Sequence, residues 1–387
     1  MALLPAQEGI LSVNVGSSTL KFALYPLTGA GVGAASEVGT LEGLQQGEGA
    51  FAAALDEVVG RLDDAAPAMR LRAVAHRVVH GGSRFQSSVR VTEAVLQALA
   101  QLNPLAPLHQ PHNLEGIRRF WKLLPDVPQV ACFDTAFHAT MPEHEARFAL
   151  PEALFQQGIR RYGFHGLSYQ HVRDTLQLHS TRSGGRLLMA HLGSGASLCA
   201  ARQGRSVAST MGFTALDGLV MGTRCGALDP GVLLYLMGQG WDAARLETLL
   251  YRQSGLLGVS GRSSDLRVLR ATADVRAQCA IDLFTARVVR EAGAMAAVLG
   301  GLDVIAFTGG IGEHDAQLRS DVAAQLGYLG VVLDPERNRG GRQDRVAAIH
   351  APESAVEVWV VPADEGRAAA REAFRMLQSG RAGLPVP

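Results

Sequence analysis

The chain has 387 residues, 47% hydrophobic and 19% charged, which is ample for one large or two ordinary globular domains and too apolar for a disordered chain. Its 36 basic and 36 acidic side chains cancel, so no sequence-wide charge draws it to nucleic acid or an anionic membrane, and neither is expected as a partner. Only Lys21 and Lys122 are lysines, an imbalance toward arginine that coding bias explains.

Apolar runs rich in Val, Ile and Leu alternate with segments of 3.6-residue period. In chain order they predict strands at 10–15 and 21–25, a helix at 48–62, a strand at 71–79, helices at 92–102 and 113–124, and a strand at 128–133. There follow a helix at 167–178, strands at 186–192 and 196–201, helices at 242–252 and 273–299, a strand at 303–308, a helix at 315–326, a strand at 356–361 and a helix at 364–377. This is the pattern of an α/β protein with strands buried between helices. The longest helix carries an apolar stripe through Ala280, Leu283, Phe284, Arg287 and Val288. No Gly/Ser-rich or Pro-rich linker divides the chain, and the terminal GLPVP reads as a frayed tail.

Cys132, Cys199, Cys225 and Cys279 lie 67, 26 and 54 residues apart, with no CxxC pair and no zinc-like Cys/His spacing. The N-terminal MALLPAQEG has no basic leader region, and the longest clean apolar run, Ala292 to Leu302, ends at Asp303. That run is well short of the roughly twenty residues that span a bilayer. A reduced, cytoplasmic, soluble protein is expected.

Two segments resemble each other. ILSVNVGSSTLKF from Ile10 and LLMAHLGSGASLC from Leu187 both run apolar strand, polar residue, Gly-Ser turn, second strand; Asn14, Gly16 and Ser17 align with His191, Gly193 and Ser194 at an offset of 177. Turns of Gly, Ser and Thr between strands expose several backbone N–H groups and can hold phosphate. A third glycine-rich turn, FTGGIGEH from Phe307, lies between a strand and the helix beginning near Asp315. Other nucleotide and hydrolase motifs are absent. Neither lysine follows a glycine as a P-loop requires, GGIGEHD has Asp315 where a dinucleotide fingerprint needs glycine, GSGAS is not GxSxG, and His144-Glu145 meets Phe148 where HExxH needs histidine.

Phosphoryl transfer needs cations for the phosphoryl oxygens and carboxylates for a metal ion. Candidates at element ends are Arg77 in HRVVHGG, Asp134 and His138 in FDTAFH, His165 in YGFHG and Arg224 in MGTRCG. An ordinary buried ion pair or core histidine would account for any one of them alone.

The run NVGSSTLKF, HRVVHGG, LAPLHQPHNL, FDTAFH, YGFHGLS, HLGSGAS, STMGFTALDGLVMGTRCGALDPG, GVSGRSSDLR, FTGGIGEH and VVPADEG, from Val13 to about Arg371, resembles the acetokinase family. These are short-chain acyl kinases of the sugar kinase and actin superfamily. The resemblance implies an α/β protein of two ribonuclease-H-like (actin-like ATPase) domains with mixed sheets flanked by helices and the active site in the interdomain cleft. The domains would be 1–136, with a C-terminal helix at 366–387 packing back on it, and 137–365. It further implies a homodimer and reversible transfer of the γ-phosphoryl of ATP to acetate, giving acetyl phosphate and ADP, with Mg²⁺ or Mn²⁺.

Carried over by position, the resemblance implies that Arg77, Arg224, His165 and Asp134 are catalytic, His165 and Arg224 acting on the transferring phosphoryl and Arg77 also on acetate. Asp134 and Glu365 would organise the metal with Asn14 nearby. Ser17, Thr19, Lys21, His191, Gly193, Ser194 and Gly195 would lie along the phosphates; Asp265, Leu266, Arg267, Gly309, Gly310, Ile311 and Gly312 would lie toward the nucleoside. Val79, Leu108, Phe164 and Ala215 would wall the acyl group. The chain departs from the family pattern at Ser194 (usually Asn), Ala215 (usually Pro), His314 (usually Asn), Gly366 (often acidic) and Thr19 (usually Ser). Loss of the proline ring at 215 should enlarge the acyl pocket, so a propionate or other short-chain acyl kinase is the first alternative. A non-catalytic actin-like ATP-binding protein is the alternative from another class.

Overall fold

The computed structural model describes residues 7–16, 19–43, 48–65, 69–107, 109–340 and 345–379. The chain divides into two units, Met1–Phe137 with Asp364–Pro387, and His138–Ala363. Asp364 and Glu365 therefore belong to the first unit, where the Tyr25 hydroxyl donates to Asp364 Oδ1 at 2.6 Å.

The first unit is built on β1 (Glu8–Val15), β2 (Thr19–Thr28), β3 (Gly31–Val32), β4 (Glu37–Glu42), β5 (Arg70–Val78), β6 (Val89–Arg90) and β7 (Gln129–Phe133), in the order β3-β2-β1-β5-β7-β6 with β4 also on β2. The second unit carries β8 (Arg186–Leu192), β9 (Ala196–Arg202), β10 (Arg205–Ser209), β11 (Val304–Thr308), β12 (Ala347–Ala348) and β13 (Glu357–Val360), in the order β10-β9-β8-β11-β13-β12. Position for position the two orders agree. A hairpin (β1–β2, β8–β9) pairs in parallel with a later strand (β5, β11), that strand with another (β7, β13), and a short antiparallel edge strand closes the sheet. The internal sequence resemblance thus marks the hairpin that opens each mixed sheet.

Burial explains the elements. β7 and β11 read QVACF and VIAFT with every residue buried, as parallel strands covered on both faces do. Leu11, Val13, Phe22, Val58, Val74 and Phe120 form one core of the first unit. The returning helix, Glu365–Ser379, buries only the small residues Ala368, Ala369, Ala370 and Ala373, which lets its backbone come close enough for Cys132 Sγ to reach Ala369 O at 3.6 Å.

The predicted strands and long helices all appear, with shifted ends. Differences have local causes. In the long helix Val275–Leu299 the buried stripe runs through Ala277, Ala280, Ile281, Phe284, Thr285 and Val288, while Leu283 and Arg287 are only half-buried. The missed β4 alternates buried and exposed positions across a glycine and charged residues, and the missed helix Pro230–Gly238 is apolar all round, which hides its period. The GLPVP tail lies outside the described residues. All four cysteines are free, and among the described residues no helix is long and apolar enough to cross a membrane.

Candidate functional site

In the first unit, polar residues gather at the carboxyl ends of the parallel strands, where open α/β sheets bind ligands. Parallel pairing sets Arg77 of β5 opposite Cys132 of β7, two residues before Asp134, and Asp134 N–H donates to Val78 O at 3.1 Å. Arg77 Nε reaches both Asp134 carboxylate oxygens at 3.1 Å and Nη2 reaches Oδ2 at 2.7 Å, while Nη1 lies 3.5 Å from Glu365 Oε2 at the start of the returning helix. Burial works against the Arg77 charge, yet Asp134 and Glu365 together hold it above its ordinary range. Burial pushes the Asp134 carboxyl up and Arg77 pulls it down; the forked contact is that of an ionised carboxylate.

Asn14 and Lys21 pair across the β1–β2 hairpin, whose turn closes with Gly16 N–H on Thr19 O at 2.8 Å. Ser17 and Leu108 lie outside the described residues. Two buried amides of LAPLHQPHNL, whose roles no local pattern signals, hold the segment after Arg77. Asn113 accepts from Val79 N at 3.0 Å and donates to Val15 O at 2.7 Å, joining the hairpin to Val79; Gln110 bonds both backbone groups of His80, at 3.2 and 3.0 Å.

The second unit assembles a different set. His165 occupies the left-handed region (φ 58°, ψ 23°) just before the helix Gly166–Leu176, a conformation that is uncommon for a residue other than glycine. Its Nδ1 bonds Ser197 Oγ at 2.9 Å, and Ser197 Oγ meets the Tyr169 hydroxyl at 2.5 Å. His191, at the end of β8, bonds Ser168 Oγ through Nδ1 at 2.8 Å and stacks on His165 with ring centroids 4.2 Å apart. Arg224 donates from Nη1 to Ala215 O at 2.7 Å. A Cβ built on Gly195 would sit 3.4 Å from His165 Nε2 and 3.5 Å from Arg224 Nη2, so both donors converge on the Gly193-Ser194-Gly195 turn, where Ser194 is exposed. A Cβ on Gly193 would lie 3.9 Å from Gly310 N, which brings the third glycine turn to the same place.

That third segment is a six-residue helix, Gly309–His314, rather than a plain turn before a helix; Gly309, at φ 77°, has no room for a side chain because a Cβ would come within 2.8 Å of Leu192 O. Asp265 caps the helix Leu266–Arg270 by accepting from Arg267 N at 2.9 Å and pairs with the exposed Arg267 side chain, whose hydrogen bonds hold the carboxylate below its usual range. Leu266 is buried in the core, so only its backbone can meet a ligand.

His138 is corrected from a candidate reacting group to a support. It falls in the second unit, apart from the Asp134 of its own motif, is buried, and uses Nδ1 on Ser206 Oγ at 2.8 Å and Nε2 on Phe164 O at 2.9 Å. It thereby braces the backbone directly before the left-handed His165. Phe164 itself is buried and Ala215 half-buried. Among the described residues no three His, Cys, Asp or Glu side chains gather to hold a metal.

The sequence matches the Acetokinase family over residues 9–371. The chain belongs to that family. Among relatives of the acetokinase family, an acetate kinase of Rhodopseudomonas palustris is 47% identical over 396 residues, covering 96% of this chain and 99% of that protein. Among solved structures, Porphyromonas gingivalis acetate kinase superposes with a TM-score of 0.83 at 36% identity, covering 96% of this chain and 100% of that one. A propionate kinase from Francisella tularensis also gives 0.83, at 34% identity, covering 94% and 98%. An acetokinase takes ATP or ADP as co-substrate, and the two mixed sheets flanked by helices are the actin-like ATPase fold of these neighbours.

Proposed function

We propose that this chain is an acetate kinase, a phosphotransferase with a carboxylate acceptor. An acetate oxygen attacks the γ-phosphorus of ATP in line, the new O–P bond forms as the bond to the β-bridging oxygen breaks, and ADP leaves; the reverse reaction makes ATP from acetyl phosphate. A carboxylate is already nucleophilic at neutral pH, so no general base is required. The observation that carries this reading is the convergence of His165 Nε2 and Arg224 Nη2 on the exposed Gly193–Gly195 turn.

In this reading the turn amides hold phosphate, and Arg224, fixed in direction by the Ala215 carbonyl, stabilises charge on the transferring group. Burial keeps the Tyr169 hydroxyl protonated; when it donates to Ser197 and Ser197 donates to His165 Nδ1, the imidazole proton resides on Nε2 and points at the turn. In the first unit Arg77 binds the acetate carboxylate. Asp134 and Glu365, both beside Arg77, offer two carboxylates that would suit Mg²⁺ or Mn²⁺, an ion that keeps waters and phosphate oxygens in its shell. Such an ion would neutralise phosphate charge, with Asn14 nearby.

Trapping acyl phosphate with hydroxylamine, in the presence of Mg-ATP and formate, acetate, propionate or butyrate, tests the proposal with Arg224→Ala as control. Acetate-led turnover abolished in the variant is expected, and ATP binding without turnover on any acid would refute it. Ala215 favours a second reading, a propionate-preferring kinase, because its small side chain is half-buried where the family usually has a proline ring. A propionate-led panel would establish that instead.

A cytoplasmic homodimer completes the reading. The dimer is supported by the helix Pro230–Gly238, which buries none of its residues and shows Leu234, Tyr235 and Met237 to solvent. Light scattering should give a dimer mass, and Leu234→Asp a monomer.

A further inference from the structure

The residues that the family resemblance places toward the nucleoside, Asp265–Arg267 and Gly309–Gly312, begin the helix Leu266–Arg270 and the short helix Gly309–His314, and an ion pair at the far ends of these helices joins them. Arg270, the last residue of the first, donates from Nε to Asp315 Oδ2 at 2.8 Å, and Asp315 directly follows the second. Asp315 does three things at once: its N–H closes the glycine helix on Ile311 O at 2.9 Å, its Oδ1 accepts from Leu318 N at 2.8 Å to cap the helix Ala316–Gln325, and its Oδ2 takes Arg270. From beneath, the fully buried Arg319 donates Nη1 to Gly312 O and Glu313 O, both at 2.8 Å, and the Asp315 charge favours that guanidinium against its burial. The glycine helix is thus held from its carbonyl end, while the helix capped by Asp265 is tied to the residue that follows it through the Arg270 side chain.

The tie is not the cheapest arrangement. Arg270 Nη2 is enclosed without a hydrogen-bond partner, a costly state for a guanidinium donor that solvent exposure would relieve. Both side chains are mostly buried, at 28% and 16% exposure, so the pair is screened less than a surface pair. An unsatisfied buried donor beside an ion pair that joins two segments is expected where their geometry matters more than local stability.

We propose that Arg270 and Asp315 are a positioning pair that sets nucleotide affinity by holding the Asp265–Arg270 and Gly309–His314 segments at a fixed separation. The proposal rests on the reading of these segments as the nucleoside side of the site. Neither residue touches the reacting groups, so the effect falls on nucleotide binding and not on the phosphoryl step.

A double-mutant cycle tests it. Asp315→Asn keeps the helix-capping oxygen, since Asn caps as well as Asp, but removes the charge; Arg270→Gln removes the other charge; Arg270→Lys keeps that charge without the Nε–H that makes the contact. ADP affinity by calorimetry and the Michaelis constants for ATP and acetate are measured on each full-length protein. Each single loss should weaken ADP binding and raise the KM for ATP by about 5-fold, the double variant should be no worse than either, and Arg270→Lys should fall between. The KM for acetate and kcat at saturating ATP should stay as in the unmodified protein. Additive losses, an unchanged ADP affinity, or parallel falls in kcat and acetate affinity would overturn the positioning role while leaving the kinase reading intact. An unmodified protein that neither binds ADP nor forms acyl phosphate would overturn both.

Discussion

The two units use one sheet plan to present different chemistry. In the first, a guanidinium is clamped between carboxylates: Arg77 forks onto Asp134 and approaches Glu365, with Asp134 almost wholly buried. In the second, the groups that meet two stacked imidazoles and an arginine include neutral ones, the hydroxyls of Ser197 and Ser168 and the carbonyl of Ala215. A charge clamped by charges is coupled to folding, because removing one partner strands the other. A side chain aimed by neutral groups can be replaced with less harm to the fold. The first cluster is therefore expected to couple activity to stability, and the second to separate them.

The sharpest test sets Arg77→Lys beside Arg224→Lys. Lysine cannot span two oxygens as the planar fork does, so each should lower kcat by about 10³-fold or more in the hydroxylamine assay. Thermal denaturation should then divide them: Arg77→Ala should lose about 3–5 kcal/mol of stability by leaving Asp134 unpaired, whereas Arg224→Ala should unfold close to the parent temperature. Equal melting temperatures would remove the contrast.

Stability against pH probes the support beneath the second cluster. Burial lowers the His138 pKa to about 4 from the ordinary 6.5. The folded state thus resists a proton that the unfolded chain accepts, and the stabilisation is fully present above about pH 6.5 and lost as pH falls toward 4. For this residue the loss amounts to about 3 kcal/mol, to which His76 and His80, also lowered to about 4 by burial, add in the same direction. Denaturant titrations at pH 7 and pH 4.5 should show the fall, and it should be shallower in His138→Gln.

Smaller effects reach the aim of single groups. Ser197→Ala removes the hydroxyl that orients His165 and should lower kcat by up to about 100-fold with an unchanged KM for ATP. Ala215→Pro should raise the preference for acetate over propionate by about 10-fold, read as the ratio of kcat/KM values.

Much of this architecture was legible beforehand. Strands such as VIAFT stand out as short, nearly continuous apolar runs and the long helices by their apolar stripes, and the two Gly-Ser hairpins mark the start of both sheets. The motif residues Arg77, Asp134, His165 and Arg224 could be named because HRVVHGG, FDTAFH, YGFHG and MGTRCG resemble the motifs of the family. The parts that hold them could not. Ser197 lies 32 residues from His165, Asn113 lies 34 from Val79, and both are ordinary polar residues within regular elements. Even His138, four residues beyond Asp134, falls into the other unit.

The alternation of strands and helices, the repeated hairpin and the family motifs can all be read along the chain, since burial period and turn chemistry are local properties written in consecutive residues. Tertiary structure alone decided that Arg77 is clamped by Asp134 and Glu365, that His165 is twisted into a left-handed conformation and braced by His138, and that Arg270 meets Asp315. Those contacts depend on parallel strand register and on hydrogen-bond distances of a few ångströms between segments far apart in the chain, and no local pattern encodes such distances.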